Sequence, residues 1–126
     1  MNSRKKVGDF GEDIAAGYLK RKGCKILTRN FKKKWGEIDI VAKNKAKIIF
    51  CEVKTLRQAQ GKPFAPEDEI DWKKKKQVLK MAQIYLSENK IPLENPWQID
   101  IIGIEISPDF KRAKIRHYKN AIEDTY

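Results

Sequence analysis

The sequence predicts an α/β domain built on a central mixed sheet with helices on its faces. Three observations predict it. Two stretches space their apolar residues as helices do, a β-branched hairpin lies between them, and a strand around residue 100 is apolar on both faces. A chain of 126 residues is a single-domain length, enough to bury one core, so 1–126 is read as one domain.

The first helix is expected from about Lys6 to Arg21. Val7, Gly11, Ile14, Ala15, Tyr18 and Leu19 fall on one side at about 100° per residue, Asp9, Asp13 and Lys20 fall opposite, and Gly23 is a stop signal. Glu12 sits inside the apolar arc, so its carboxylate leans toward whatever the helix packs on and needs a partner there. Gly8 and Gly11 would let the helix approach a sheet closely. Lys25 to Phe31 reads as a first strand, and Lys32-Lys33-Lys34 as a basic turn into the next.

Trp35 to Thr55 organises the chain. Two β-branched runs flank the polar Lys-Asn-Lys-Ala-Lys, a hairpin signal, yet both runs carry acids. By strand alternation Glu37 and Asp39 face one way and Ile38 and Ile40 the other, while Glu52 shares a face with Phe50 and Lys54. If the turn is Asn44-Lys45, Asp39 lies opposite Phe50 and diagonal to Glu52; if it is Lys45-Ala46, Asp39 lies directly opposite Glu52. Either register gathers Asp39, Glu52 and Lys54 on one face. Opposed carboxylates repel, so such a hairpin calls for positive charge between them, which a divalent cation beside a lysine would supply.

Beyond the hairpin, Leu56 to Glu69 contains Gly61, Pro63 and Pro66 together with Arg57 and Lys62, and reads as a long loop of the kind that is often functional. A second helix is expected from about Ile70 to Asn89, with Val78, Met81, Ala82, Tyr85 and Leu86 as its apolar stripe. Its first turn carries Lys73, Lys74, Lys75 and Lys76, which oppose the helix dipole, so helix propensity does not explain them. Gln98 to Ile106 is a covered strand interrupted by Asp100, Lys114 to Tyr118 a short fifth strand, and Asn120 to Tyr126 a tail. Lone His117 is expected at the surface or on an edge strand.

Composition narrows the partners. Charged residues make up 36% of the chain and the hydrophobic fraction is 40%, but three Trp, four Tyr and five Phe are enough aromatics for a folded core. The formal net charge of +11 attracts polyanions, nucleic acid first and anionic membrane second. No stretch approaches the roughly 18 apolar residues of a membrane span, and Met-Asn-Ser-Arg-Lys-Lys is no signal peptide, so a cytoplasmic protein with no membrane partner is expected. Cys24 and Cys51 form no CxxC and are read as buried, reduced side chains.

Glu12, Asp39 and the Glu52-Val53-Lys54 triplet together suit Mg²⁺ or Mn²⁺, with the Val53 carbonyl as a further oxygen. Such ions hydrolyse phosphodiesters while a lysine on the same face orients or deprotonates the nucleophile. A strand-surface salt bridge between Lys54 and an acid is the plainer reading of the same residues.

Gly8 to Ala15, Arg29-Asn30, Gly36 to Val41, Phe50 to Thr55, Gly61-Lys62-Pro63 and Ile99-Asp100 resemble the signature blocks of the UPF0102 or YraN-like bacterial proteins. That resemblance implies the PD-(D/E)xK nuclease superfamily, alongside archaeal Holliday-junction resolvases, and a restriction-endonuclease-like sheet. It implies Glu12, Asp39 and Glu52 as metal ligands and Lys54 as the catalytic lysine, and it matches Lys74 to a family lysine on the nucleic-acid side. Ile38 stands where the family has proline, Cys51 where it has valine, and Leu56 where it has arginine.

The function expected is a metal-dependent endonuclease acting on DNA, selective for branched or flapped structures because no base-reading module is evident. Lys32, Lys33, Lys34, Arg57, Lys62 and Lys73 to Lys76 are expected to contact the phosphate backbone, and Trp35 and Trp72 are either base-stacking residues or core lids. A homodimer would suit a symmetric junction. The alternatives are a non-catalytic nucleic-acid-binding module and an interaction protein whose basic surface meets an acidic partner or membrane.

Overall fold

The computed structural model describes residues 3–57 and 72–122. Helix α1 (Ser3–Arg21) precedes strands β1 (Lys25–Lys33), β2 (Gly36–Asn44) and β3 (Lys47–Arg57); α2 (Trp72–Glu88), β4 (Trp97–Ile106) and β5 (Ala113–Tyr118) follow. The five strands make one sheet in the order β1-β2-β3-β4-β5. Only β3 and β4 run parallel, because they alone are joined through a helix while tight turns force their neighbours antiparallel. The expected mixed sheet flanked by helices is the architecture observed. Among the described residues, no helix is long and apolar enough to cross a membrane.

Each face of the sheet carries its own core. Val78, Met81, Ala82, Tyr85 and Leu86 of α2 pack on Ile38, Phe50, Ile99 and Ile101. Ala15, Ala16 and Leu19 of α1 pack on Ile40, Cys51, Ile102, Ile104 and Ile106. β4 therefore feeds both cores, as its doubly apolar sequence requires. Cys24 and Cys51 are buried and unbridged, as expected.

Several boundaries differ from the sequence reading. α1 begins at Ser3, before Lys6. Lys32 and Lys33 are not a turn but the end of β1, paired with Glu37 and Gly36, and the turn itself is Lys34-Trp35. The ladder with β2 holds them there, and ion pairs accompany it: Lys32 Nζ lies 3.8 Å from Glu37 and Lys33 Nζ 2.9 Å from Glu88 of α2. Leu56 and Arg57 continue β3 because β4 is long enough to pair with them. The rest of the expected loop, with Gly61, Lys62, Pro63 and Pro66, lies outside the described residues, as does the start expected for the second helix at Ile70.

α1 ends at a Schellman turn. Gly23 takes φ 91°, and the Cys24 N–H donates to the Leu19 carbonyl at 2.9 Å. Closer to the site, α1 touches the sheet at Gly11, where a Cβ would stand 2.0 Å from Thr55 Oγ1. Gly8 meets nothing within 4 Å, so only one of the two glycines serves the close approach. Gly11→Ala should therefore lose about 1–3 kcal/mol of unfolding free energy by overpacking. Gly8→Ala should be neutral or gain up to about 1 kcal/mol from helix propensity. Urea denaturation of the two variants checks the contrast; equal effects would contradict it.

Candidate functional site

The β2–β3 turn is Lys45-Ala46, with Lys45 at φ 57° and Asn44 paired to Lys47. Of the two registers open to the sequence, this one carries Asp39 directly across from Glu52. The described ladder ends one step earlier, at Ile40 with Cys51. There the Asp39 side chain takes over a backbone donor: the Val53 N–H donates to Asp39 Oδ2 at 2.7 Å.

Strict alternation does not survive at this point. Ile38 and Ile40 were expected on one face, yet Ile38 joins the core under α2 and Ile40 the core under α1. Asn30, across from Asp39 on β1, has φ 54°, and this left-handed residue interrupts the pleat where the acids meet.

Burial sets the electrostatics of the pair. Loss of water raises the Asp39 carboxyl to about 6; the charges of Glu12 and Glu37 add to the rise, while the Val53 hydrogen bond and Lys74 oppose it. Burial raises Glu52 further, to about 8, with the Asp39 charge reinforcing the shift against the pull of Lys74. Lys74 Nζ lies 3.5 Å from Glu52 Oε1. Glu52 Oε2 is buried with no hydrogen-bond partner among the described residues, a condition that costs about 1–3 kcal/mol and that a proton or a cation would relieve.

Glu12 is 9% exposed and does lean inward, as its place in the apolar arc required. Its partners are on β1: Arg29 Nε at 3.0 Å and Asn30 Nδ2 at 3.1 Å, with Arg29 Nη2 also donating to Asp13 at 2.8 Å. Its charge still reaches Asp39. The arrangement is thus an opposed pair, Asp39 and Glu52, with a third acid alongside that is already held by an arginine. Among the described residues, no group of three or more His, Cys, Asp or Glu side chains is assembled as a ready cage for an ion. Lys54 follows Glu52 by two positions on β3 and is half-buried, and Val53 packs its side chain into the α1 core.

The lysine clusters divide. Lys32, Lys33, Lys34, Trp35, Lys74 and Gln77 line a shallow cleft of about 400 Å³ between the β1–β2 turn and the start of α2. Trp35 is 53% exposed, so it is not a core lid; Lys34 and Lys80 place their ammonium groups 5.2 and 4.5 Å from its ring centre. Gln77 Nε2 clamps the turn by donating to the Trp35 carbonyl at 2.6 Å. Lys73 and Lys76 are exposed on α2, and Lys75 is half-buried. Arg57 stacks over Phe110 at 4.8 Å and donates to the Pro108 carbonyl, which turns it away from the cleft residues.

Sequence reasoning missed four partners: Arg29 and Asn30 for Glu12, Lys74 for Glu52, and His117 for Asp100. Lys74 had left a signal, since a lysine opposing the helix dipole without explanation wants an acid nearby. His117 is not a bystander of the edge strand. It bridges Tyr18 Oη at 2.9 Å and Asp100 Oδ2 at 2.7 Å.

Fold and site define an α/β protein with a five-stranded mixed sheet and an opposed pair of half-buried strand carboxylates beside a lysine-rich cleft. Within that class, the chain belongs to the Uncharacterised protein family UPF0102, whose family model matches residues 11–104, a span that includes Glu12, Asp39, Glu52, Lys54 and Lys74. It is similar to a UPF0102 protein of Syntrophotalea carbinolica, 40% identical over 120 residues that cover 95% of this chain and 94% of that one. A UPF0102 protein of Caldanaerobacter subterraneus subsp. tengcongensis is 39% identical over 94% of this chain and 96% of its own. One of Roseiflexus castenholzii is 32% identical over 96% of both.

The raised carboxyl values have a measurable consequence. A carboxyl whose folded pKa lies above its unfolded one binds the extra proton in the folded state, so stability falls as pH rises from the unfolded value through the folded value. Without divalent ions, stability should decline between about pH 4 and 8, from the unfolded carboxyl range to the raised value of Glu52. Glu52→Gln should flatten that decline and be the more stable protein at pH 8, by chemical denaturation across the range. An unchanged slope in the variant would contradict the assignment.

Proposed function

We propose that this protein is a metal-dependent endonuclease that binds DNA along its basic cleft and hydrolyses phosphodiester bonds at Asp39, Glu52 and Lys54. One observation carries the reading: two opposed, half-buried carboxylates, one with an oxygen unpartnered among the described residues, adjoin a cleft lined by lysines. Two acids brought so close favour a cation over both staying charged. Their donors are hard oxygens, the kind Mg²⁺ or Mn²⁺ takes. Held by Asp39 and Glu52, with Glu12 and the Val53 carbonyl as further oxygens, the ion would neutralise charge on the phosphoryl oxygens and make water more acidic.

The chain's own groups do the rest. Lys54, two positions after Glu52 on β3, can orient the attacking water or the scissile phosphate. Lys74 offsets the Glu52 charge before an ion arrives, and its flexible stem lets the ammonium move to a phosphate afterwards. Lys32, Lys33 and Lys34 engage backbone phosphates through charge, without reading sequence. Trp35, exposed between two ammonium groups, offers a stacking surface to an unpaired base, which favours flapped or branched DNA over intact duplex. Two copies of the chain would present paired sites to a symmetric junction.

The second reading, a nucleic-acid-binding module without turnover, draws on the same Lys74: its ammonium already supplies positive charge to Glu52. That reading expects binding with steep salt dependence and no response to divalent ions. Cleavage of linear, flapped and four-way DNA with Mg²⁺ or Mn²⁺ separates the two. Turnover should need the ion and fall by about 100-fold or more in Asp39→Asn and in Lys54→Ala, the range for removing a positioned catalytic group. Cleavage that survives both substitutions, or none by wild type on any substrate, would overturn the nuclease reading.

A further inference from the structure

A second site lies at the opposite end of β3 from Glu52 and Lys54. Where α1 ends against the β2–β3 turn and the start of β4, a cavity of about 600 Å³ opens on the α1 face. Its size falls within the range of small-molecule sites. The proposed nuclease chemistry uses none of its residues.

At its inner end stands a chain of hydrogen bonds. Asp100 is fully buried; its Oδ1 accepts from Gln98 Nε2 at 2.8 Å and from the Asn120 N–H at 2.9 Å, and its Oδ2 meets His117 Nε2 at 2.7 Å. Burial works against the Asp100 charge, yet those donors outweigh it and hold the carboxyl below its usual range. An ionised Asp100 accepts only, so His117 Nε2 donates to it, and the ring's Nδ1 meets the Tyr18 hydroxyl at 2.9 Å. Whichever way that bond runs, the Tyr18 oxygen keeps a lone pair for the cavity it lines. A ligand donor can bond there.

The outer part is different in character. Lys22, Lys45, Lys47 and Lys119 all line the cavity and all are solvent-exposed. Asp100 is the one carboxylate among the described lining residues, and its charge is already shared among three donors. Four ammonium groups around one opening raise the local potential and attract an anion. Between the two ends the wall includes Leu19, Ile49 and Pro96. A purely bracing role accounts for the Asp100–His117 contact that ties β4 to β5. It does not account for a hydroxyl acceptor, an apolar wall and a basic mouth arranged along one cavity.

We propose that this cavity binds a nucleoside phosphate, with a donor of its sugar or base on the Tyr18 oxygen, its base against the apolar wall and its phosphate among the mouth lysines. Free mononucleotide and the terminal nucleotide of a strand share that chemistry. The inference stands apart from the nuclease reading, since it uses other residues at another place.

Isothermal titration of the full chain at about 0.15 M salt, where loose surface attraction is screened, tests it. The probes are adenosine 5′-monophosphate, inorganic phosphate, pyrophosphate and a short 5′-phosphorylated single strand. One mononucleotide per chain should bind, about tenfold or more tighter than inorganic phosphate, which lacks the nucleoside contacts. Tyr18→Phe should weaken it about fivefold, the share of one hydrogen bond, and Lys22→Ala with Lys119→Ala at least as much, while Asp39→Asn leaves it unchanged. The lysine variants alter exposed side chains only, so they decide the matter even if Tyr18→Phe disturbs the fold. A phosphorylated strand that binds more tightly than the mononucleotide, and loses that advantage without its terminal phosphate, identifies a strand end as the source; equal binding identifies the free nucleotide. Absence of saturable mononucleotide binding, phosphate or pyrophosphate binding as tight as the nucleotide, or indifference to the lysine substitutions would overturn the proposal.

Discussion

The repulsion between Asp39 and Glu52 is the constraint on which the rest of the site turns. The hairpin register sets them opposite one another, and the sheet and α2 take them partly out of water, so neither holds its charge cheaply. Everything nearby answers that strain. Asp39 borrows a backbone N–H from Val53, Lys74 reaches in from α2, and one oxygen of Glu52 has no hydrogen-bond partner among the described residues. A fold selected only for stability would place apolar side chains here. Like charges in a half-buried place, only partly offset by Lys74 and the Val53 N–H, carry a stability cost.

The two helices bring different things to this pair. α1 is anchored at Gly11 on Thr55 and carries Glu12 to the β1 side of the acids, where Arg29 and Asn30 take its charge. α2 clamps the β1–β2 turn through Gln77 and delivers Lys74 to Glu52. The basic cleft and the acidic pair are therefore joined through one helix end. At the other end of α1 the Tyr18–His117–Asp100 chain closes the sheet over a separate, positively rimmed cavity.

Local chemistry made most of the fold legible. β-branched runs around a polar turn marked the hairpin, helical spacing marked both helices, and a strand apolar on both faces placed β4 at the interior. Register was narrowed to two choices, and the left-handed Lys45 chose between them. What stayed hidden depends on contacts far apart in sequence. Nothing near Glu12 points to Arg29. His117 sits seventeen positions from Asp100, and their contact exists only because β5 folds back on β4. The expected facing of Ile38 with Ile40 failed for a related reason: the pleat is broken from the neighbouring strand, at Asn30, and a strand's own alternation carries no trace of that. The lysine run at the start of α2 could be seen as anomalous, but which lysine turned inward required the helix to be docked.

The central claim is that the two strand carboxylates burden one another until a cation joins them. The most direct measurement is a carbon-13 NMR titration of the side-chain carboxyls, run without divalent ions and again with Mg²⁺. The account predicts that Glu52 titrates near 8 and Asp39 near 6 in the ion-free protein, and that both fall toward or below the ordinary carboxylate range when Mg²⁺ is present. Two carboxyls that titrate normally near 4 under both conditions would contradict it.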